Sequence, residues 1–285
     1  MHTFFDASIL PALACFFFSS SLCGQWRQPD TTWLYKRVDG VELKLHVFTP
    51  EGYRETDRRA AIIFFFGGGW NNGSPGQHYG QCAYLAGRGM VAMSAEYRVQ
   101  SRNQTSPKEC VKDGKSAIRW LRAHAVDLGI DPARIAAGGA SAGGHVAAAA
   151  GTIVGLNEAG EDISVSSCPD ALVLFNPVFD NGPGGFGHGR VKAYWQAISP
   201  LHNIGGGAPP TVVFLGTDDE YISVDSARRY EARMQEAGRR CDLHLYADQK
   251  HGFFNPDRKN GYFDQTLEMT DFFLTSLGFL EAPAH

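Results

Sequence analysis

The sequence lacks the surplus of positive charge that is typical of proteins that bind nucleic acids or anionic membranes. Its 26 Lys and Arg residues are matched by 30 Asp and Glu residues, which gives a net charge of −4 at pH 7. A protein that binds phosphate backbones or lipid headgroups needs a basic patch to attract them. We therefore expect neither nucleic acid nor stable membrane insertion.

Histidine and cysteine patterns for metal binding are absent as well. No CxxC, HxH or HExxH spacing occurs, and these are the spacings that zinc and related sites use. We expect neither a catalytic metal nor a cofactor. Four cysteines lie beyond residue 24, and they could form disulfides in an oxidising compartment or remain buried free thiols: Cys82, Cys110, Cys168 and Cys241.

No clean apolar run near a terminus is long enough for a membrane-spanning helix. Residues 9–23 are the most apolar segment there, but Pro11 and several serines interrupt it, so it falls short of the roughly 18 residues that a span needs. The small residues behind it favour a signal peptide over residues 1–24 and a secreted or periplasmic protein. Asp6 and the lack of Lys and Arg before the run leave an N-terminal arm or a leading strand as alternatives.

Strand-like and helix-like segments alternate along the rest of the chain. Residues 41–48 alternate apolar and polar side chains, as in a half-exposed strand. Residues 60–66 form a continuous apolar run, as in a strand that is covered on both faces. Similar runs predict strands at 90–95, 135–137, 171–175, 211–215 and 243–246, and helical periodicity predicts helices at 106–126, 224–237 and 261–277.

Strands that alternate with helices predict a mainly parallel sheet with helices on both faces. In such folds the loops at the carboxyl ends of the strands bind ligands. No Pro- or Ser-rich linker and no charge block divides residues 30–280, so we expect a single α/β domain over residues 25–285. The glycine-rich segment 176–207 is expected to lie over the site.

The strongest motif is GASAG at residues 139–143, a GxSxG pattern between a short apolar run and a run of small residues. A serine on a sharp turn from strand to helix needs small neighbours, because the turn brings the residues on either side close together. Ser141 is therefore the candidate nucleophile. His145 would lie one helical turn away from it, where a packing or capping role is expected.

A serine nucleophile needs a base, and the base needs an acid that orients it. His251 follows the last predicted strand, while Asp218 and Asp219 follow the strand at 211–215. Adjacent residues on an extended segment point in opposite directions. The residues alone therefore leave open which aspartate is the acid, and Asp248 is a weaker candidate.

Acyl transfer also needs hydrogen-bond donors for the negatively charged oxygen of the transition state. The segment FGGGW at residues 66–70 follows a buried strand, and residues without side chains allow backbone N–H groups to converge. The segment contains neither GxGxxG nor GxxxxGK[ST], so a dinucleotide or P-loop role is not indicated. We expect the N–H groups of Gly68, Gly69 and Ala142 to form an oxyanion hole.

Residues 40–280 resemble the α/β-hydrolase superfamily, in particular the hormone-sensitive-lipase-like esterases and the bacterial acetyl or feruloyl esterases. The resemblance lies in FGGGW, in Glu96-Tyr97-Arg98, in the segment 129–135 that leads into GGASAGGH, in the acid loop GTDDEYI and in HGFF. The family's acid loop reads G-T-x-D-x-x-V, which identifies Asp219 as the acid. One departure is Phe66, because the family usually has HGGG there and its histidine mainly braces the loop.

The resemblance implies an α/β-hydrolase fold with a mainly parallel eight-stranded sheet, helices on both faces and no large cap domain. It also implies a serine carboxylic-ester hydrolase with a Ser-His-Asp triad and an acyl-enzyme. Short-chain or carbohydrate-linked esters, such as acetyl or feruloyl esters, are the expected substrates. Loop residues Trp70, His188, Tyr194 and Trp195 are candidates for a pocket that stacks on a sugar or aryl ring, with simple packing as the alternative.

Two other functions stay open. A hydrolase-like receptor binds a small molecule after the loss of a triad member, but candidates for all three members are present here. An exopeptidase of the same fold usually carries a propeller or a large additional domain, for which 285 residues leave no room. The sequence indicates no oligomeric state.

Overall fold

The computed structural model describes residues 27–282. The predicted signal peptide, residues 1–24, lies outside these residues. Eight strands form one sheet. They are β1 Thr31–Val38, β2 Val41–Phe48, β3 Arg59–Phe65, β4 Val91–Ala95, β5 Ile130–Ala140, β6 Ala171–Phe175, β7 Thr211–Gly216 and β8 Cys241–Tyr246.

The strand order across the sheet is β1-β2-β4-β3-β5-β6-β7-β8. Strand β2 is antiparallel to both of its neighbours, and all other neighbouring strands are parallel. The prediction of a mainly parallel eight-stranded sheet is confirmed. Each strand that we predicted overlaps an observed one, and only β1 was not predicted.

The helices are α1 Tyr79–Gly87, α2 Gln100–Asn103, α3 Pro107–His124, α4 Ala142–Thr152, α5 His188–Val191, α6 Trp195–Ile198, α7 Val224–Glu236 and α8 Tyr262–Ser276. Short 3-10 helices lie at Pro75–His78, Pro200–His202 and Pro256–Arg258. Helices α3, α7 and α8 match the three predicted helices closely. No helix within residues 27–282 has the length and apolar character that crossing a membrane requires.

Helix α3 shows how local sequence sets an element boundary. The Ser106 hydroxyl accepts a hydrogen bond from the Lys108 N–H at 3.3 Å, and the Glu109 carboxylate accepts one from the Ser106 N–H at 2.9 Å. Pro107 at the first helical position has no N–H that would need a partner. This capping box satisfies the free donors at the helix start and so determines where α3 begins.

Helices cover both faces of the sheet, and alternate residues of a central strand contact them. Ile63 and Phe65 of β3 pack in a core with side chains of α3, α4 and α7, whereas Ile62 and Phe64 pack in a second core with α1 and α8. The continuous apolar run of β3 reflects this burial on both faces. Because β3 to β8 are parallel, the loops after them meet at one edge of the sheet.

The four cysteines in the described part of the chain are free thiols. Cys82, Cys110 and Cys241 are buried, and Cys168 is partly buried. Burial raises the pKa of the Cys82 and Cys110 thiols well above the ordinary value, so the reactive thiolate form is disfavoured. The structure therefore supports the interpretation that these cysteines are packing residues.

The outer strand β1 contains a bulge. Leu34 pairs with Lys44 and Lys36 pairs with Leu43, so Tyr35 is an extra residue without a partner on β2. A bulge breaks the regular alternation of side chains, and both Tyr35 and Lys36 are buried. The missing alternation explains why the sequence pattern did not predict β1.

The bulge directs the Lys36 side chain into the interior, where it joins a buried network of charged groups. Lys36 Nζ lies 2.6 Å from Asp113 Oδ1 and 2.8 Å from Glu158 Oε2, and Arg98 Nη2 lies 2.9 Å and 3.0 Å from the same two oxygens. The Asp113 side chain is fully buried. Two cations share two carboxylates there, so the loss of one partner leaves an uncompensated buried charge.

We predict that Asp113→Ala lowers the free energy of unfolding by about 3 to 5 kcal/mol, because it leaves Lys36 and Arg98 buried with too little negative charge. Glu42→Ala is the control, since it removes an exposed pair with Arg37 and should cost less than about 1 kcal/mol. Urea denaturation followed by tryptophan fluorescence measures both. Equal losses in the two variants would contradict the prediction.

Candidate active site

Ser141 lies on a strained turn between β5 and α4. Its φ and ψ are +53° and −117°, a conformation that residues with side chains rarely adopt and that strained functional turns maintain. The turn is fixed on both sides, because the Ser141 N–H donates to the Phe175 carbonyl at 3.0 Å and its own carbonyl accepts from the Val178 N–H at 3.2 Å. The hydroxyl therefore stands at the carboxyl edge of the sheet.

The two glycines of the GxSxG pattern allow the turn to lie against the end of β3. A Cβ atom on Gly143 would lie 2.0 Å from the Phe65 carbonyl oxygen, and one on Gly139 would lie 2.6 Å from the same oxygen. Both distances are far shorter than any real contact of a Cβ atom. The close approach thus requires glycine at both positions, as the sequence pattern suggested.

Asp219 and His251 form a hydrogen-bonded pair. His251 Nδ1 lies 2.8 Å from Asp219 Oδ2, and the Asp219 side chain is fully buried. The other oxygen of Asp219 accepts from the N–H groups of Tyr221 and Ile222, each at 2.9 Å. The Asp218 residue is exposed. Of the two adjacent aspartates, the structure therefore brings Asp219 to the histidine.

Asn176, which follows β6, contacts the other nitrogen of the His251 ring. Its Oδ1 accepts from the Gly252 N–H at 3.1 Å, so its Nδ2 faces His251 Nε2 at 3.3 Å. An amide N–H can only donate, so Nε2 is an acceptor and Nδ1 carries the proton toward Asp219. This is the tautomer of a histidine that acts as a base. The sequence analysis missed Asn176, although its position directly after a buried strand is a usable signal.

Ser141 and His251 line one cavity of about 320 Å³. Gly68 and Gly69 line it too, and within the described residues their N–H groups donate to no protein acceptor. Ala142 is the first residue of α4 and is buried. Other lining residues that the sequence analysis did not single out are Gln77, Phe186, Tyr221, Phe254 and Asn255.

The aromatic residues proposed for the substrate pocket lie elsewhere. Trp70 is 1% exposed and points away from the cavity. His188 donates to the Asn181 carbonyl at 2.8 Å, and its ring contacts Trp195. None of these residues, and not Tyr194 either, is part of the cavity lining. The aromatic residues of the cavity lining are Phe186, Tyr221 and Phe254, and the Tyr221 ring meets the His251 ring edge-on at 5.0 Å.

His145 has the packing role that its position after Ser141 predicted. Its Nδ1 accepts from Trp70 Nε1 at 3.2 Å, and its Nε2 donates to the Ile198 carbonyl at 2.8 Å. The ring is completely buried, and this burial lowers the pKa of His145 to about 4. Both nitrogens are engaged away from the cavity, so His145 is a neutral structural residue.

The fold and the site define the class of protein. The chain belongs to the family with the alpha/beta hydrolase fold, whose family model matches residues 62–255. The resemblance inferred from the motifs is therefore confirmed. Among residues 27–282, no group of three or more His, Cys, Asp and Glu side chains is arranged to hold a metal ion.

Solved structures include a close relative. Esterase 2 of Thermogutta terrifontis, phosphorylated by paraoxon, is 45% identical to this chain with a TM-score of 0.85, and the match covers 88% of this chain and 95% of that one. The propionate-bound form of the same esterase is 44% identical, also with a TM-score of 0.85, and covers 89% and 96% of the two chains.

Curated proteins give the same class. Esterase LipC of Mycobacterium tuberculosis is 31% identical over 208 residues, which are 62% of this chain and 49% of LipC. The probable isoprenylcysteine alpha-carbonyl methylesterase ICMEL1 of Arabidopsis thaliana is 27% identical over 256 residues, or 79% and 52% of the two chains. The chain thus spans about half the length of these relatives. All are named as ester hydrolases, which confirms the expected class of enzyme at the level of the family.

We predict that the neutral forms of His251 and His145 carry their protons on opposite ring nitrogens. The hydrogen bonds place the proton on Nδ1 in His251 and on Nε2 in His145. His145 should stay neutral until the pH falls to about 4, because burial disfavours its charged form. Nitrogen-15 NMR of protein labelled at histidine identifies the tautomer of each ring and the pH at which His145 titrates. The variants His251→Ala and His145→Gln assign the signals. The same tautomer at both rings would refute this.

Proposed function

We propose that the protein is a serine carboxylic-ester hydrolase in which Ser141 is the nucleophile, His251 the base and Asp219 the acid that orients the base. The observation that carries the proposal is the hydrogen bonding of the His251 ring, which determines which nitrogen carries the proton. Its Nδ1–H is held by a buried carboxylate, which leaves the ring's lone pair on Nε2, and His251 lines the same cavity as Ser141. Only this tautomer can take a proton from serine.

The reaction would proceed in two halves. Ser141 Oγ attacks the ester carbonyl carbon as its proton moves to His251 Nε2, and the charge on the imidazolium is stabilised by Asp219. The tetrahedral intermediate then collapses, His251 gives the proton to the departing alcohol, and an acyl-enzyme remains. A water molecule, deprotonated by His251, attacks the acyl group and releases the acid and the free serine.

The oxyanion would be bound by the N–H groups of Gly68, Gly69 and Ala142. Gly68 and Gly69 line the cavity beside Ser141. Ala142 is the first residue of α4, and the first N–H groups of a helix have no acceptor within the helix. The positive end of the helix dipole adds to this preference for negative charge.

The size and surroundings of the cavity support short-chain or carbohydrate-linked esters, such as acetyl or feruloyl esters. Its volume of about 320 Å³ lies at the small end for ligand sites. The related Thermogutta terrifontis esterase has been seen with bound propionate and butyrate. A second cavity of about 260 Å³ shares Phe186 and Tyr221 with the first and contains Asp180, Ser223 and Arg229, polar groups that suit a hydroxyl-rich alcohol.

The proposal includes export from the cell. It is supported by the apolar segment 9–23 and the small residues that follow it, which resemble a signal peptide. A secreted or periplasmic location would bring the enzyme to polymer-linked esters outside the cell.

Ser141→Ala and His251→Ala should each abolish hydrolysis of p-nitrophenyl acetate without a change in Tm, because each removes a group that the chemical step needs. Asp219→Asn should lower kcat by about 10⁴-fold, since an amide stabilises the wrong tautomer of the histidine. The matched control is Asp218→Asn, which alters the exposed neighbour and should leave kcat unchanged. Steady-state kinetics on folded variants measures all four.

A fluorophosphonate probe gives an independent result. It should label the wild-type chain at Ser141 and leave Ser141→Ala unlabelled, because only an activated serine reacts. A receptor of the same fold would remain unlabelled, and full ester hydrolysis by Ser141→Ala would eliminate the proposed mechanism.

We expect the highest kcat/KM with acetyl to butyryl esters and a steep decrease for longer acyl chains, because the cavity is small. A panel of p-nitrophenyl esters from acetate to palmitate, together with methyl ferulate and acetylated xylan, measures this preference. Activity on acetylated xylan or methyl ferulate would support the carbohydrate-linked class. A maximum at palmitate would exclude both parts of the substrate proposal.

A further inference from the structure

A single peptide unit in front of the oxyanion glycines is held at both of its polar ends. The Phe66 carbonyl oxygen accepts a hydrogen bond from the Tyr97 hydroxyl at 2.6 Å. The Gly67 N–H, which belongs to the same peptide unit, donates to Gln77 Oε1 at 2.6 Å. Both distances are at the short end for hydrogen bonds in proteins. The plane of this peptide cannot rotate without breaking both bonds.

This peptide lies beside the nucleophile. A Cβ atom on Gly67 would lie 3.4 Å from the Ser141 Cβ atom and 3.1 Å from the Ala140 carbonyl oxygen. The next two residues, Gly68 and Gly69, have φ values of +126° and +62°, and glycine backbones have more conformational freedom than any other. The Gly68 carbonyl accepts from the N–H groups of Asn71 and Asn72 at 3.0 Å and 3.1 Å, which holds the peptide that carries the Gly69 N–H from within the loop. The Gly68 N–H belongs to the preceding peptide, so its direction depends on how the Phe66–Gly67 peptide is held.

Tyr97 provides one constraint on that peptide, from the core. Its side chain is 1% exposed, and its ring stacks on Phe66 at 4.2 Å. The Phe66 ring has no polar atom with which to hold the loop. The Tyr97 hydroxyl instead binds the main chain of Phe66 directly. Burial raises the pKa of Tyr97 well above its ordinary value, so the hydroxyl keeps its proton.

Gln77 provides the second constraint from the other side of the cavity. Its Nε2 lies 3.4 Å from Asn255 Oδ1, and Asn255 Nδ2 donates to the Gly252 carbonyl at 3.0 Å. Gly252 follows His251 in the chain. The same amide side chain therefore contacts the glycine loop and, through Asn255, the loop that carries the histidine.

We propose that Tyr97 and Gln77 are positioning residues, which fix the Phe66–Gly67 peptide so that the Gly68 N–H that follows it points at the oxyanion. The inference rests on the proposed function and extends it to Tyr97, which is not part of the cavity lining, and to Gln77, which lines the cavity beside the glycine loop.

The expected effect is on kcat and not on KM. Removing an oxyanion donor outright costs about 10²- to 10³-fold in rate. Misdirecting a donor that remains in place should cost less, about 10- to 100-fold in kcat. The oxyanion forms only in the transition state, so ground-state binding of the ester, and with it KM, should change little.

The variants are Tyr97→Phe, which removes the hydroxyl but keeps the stacked ring, and Gln77→Met, which keeps the length of the side chain but loses the acceptor. Tyr53→Phe is the control, because it also removes a hydroxyl that binds a carbonyl, that of Leu128 at 2.8 Å. Tyr53 precedes β3 and Leu128 precedes β5, so this bond lies at the opposite edge of the sheet. The control should retain wild-type kcat.

A transition-state analogue separates positioning from general destabilisation. An alkyl trifluoromethyl ketone adds the serine oxygen to its carbonyl carbon and leaves a negatively charged oxygen in the oxyanion hole. Its inhibition constant should rise in Tyr97→Phe and Gln77→Met by the same factor by which kcat/KM falls. Thermal denaturation verifies that the variants are folded. Gln77 is only partly buried, so Gln77→Met carries the test if Tyr97→Phe does not fold.

Wild-type kcat in folded Gln77→Met would overturn the inference, and so would a fall in kcat without weaker binding of the ketone. A different result would refute the proposed function. In that case the wild-type chain itself would neither hydrolyse p-nitrophenyl acetate nor react with the fluorophosphonate probe, and the inference would fall with it.

Discussion

The backbone of the Ser141 turn lies against the end of β3 with no space for a side chain between them. Gly139 and Gly143 both face the Phe65 carbonyl oxygen at distances that no Cβ atom tolerates. The chain then continues from β3 into Gly68 and Gly69. The contact that shapes the nucleophile turn therefore also brings the oxyanion glycines next to the hydroxyl. Any side chain at Gly143 would disturb both parts of the site at once.

The parallel part of the sheet assembles the rest of the site. Adjacent strands β3, β5, β6, β7 and β8 are each followed by one residue that lines the cavity or contacts His251. In strand order these are Gly68, Ser141, Asn176, Asp219 and His251. Parallel strands end at the same edge of a sheet. Residues that are up to about 180 positions apart in the chain therefore lie close together there. Asn176 stands between serine and acid because β6 stands between β5 and β7.

Most of the fold, and the position of Ser141 and His251 at one edge of the sheet, could be predicted from the sequence, because each left a local signal. Buried strands appear as apolar runs, and Ser141 lies in a pattern that the turn geometry demands. The pairing of Asp219 with His251 came from the family resemblance and was not available from the residues alone. Gln77 gives no signal, since an amide on a surface turn has no periodicity or motif, and its contact with Gly67 exists only in the folded chain.

The aromatic candidates that do not line the cavity beside Ser141 have a common physical reason for their placement. Trp70 follows the glycine loop, but its positive φ turns the side chain into the core against His145. His188 and Trp195 pack against neighbours within their own segment. Sequence position identifies which loop reaches the site, but the backbone conformation decides which side chains of that loop face it.

The bulge in β1 has a consequence for the outer edge of the sheet. An exposed edge strand offers a row of free N–H and C=O groups with which another chain can pair. The extra residue Tyr35 interrupts the regular spacing of these groups, and Lys36 is turned inward toward Asp113. An incoming strand would lose its register at this point. The same irregularity that buries an ion pair thus helps to keep the folded chain from polymerising edge to edge.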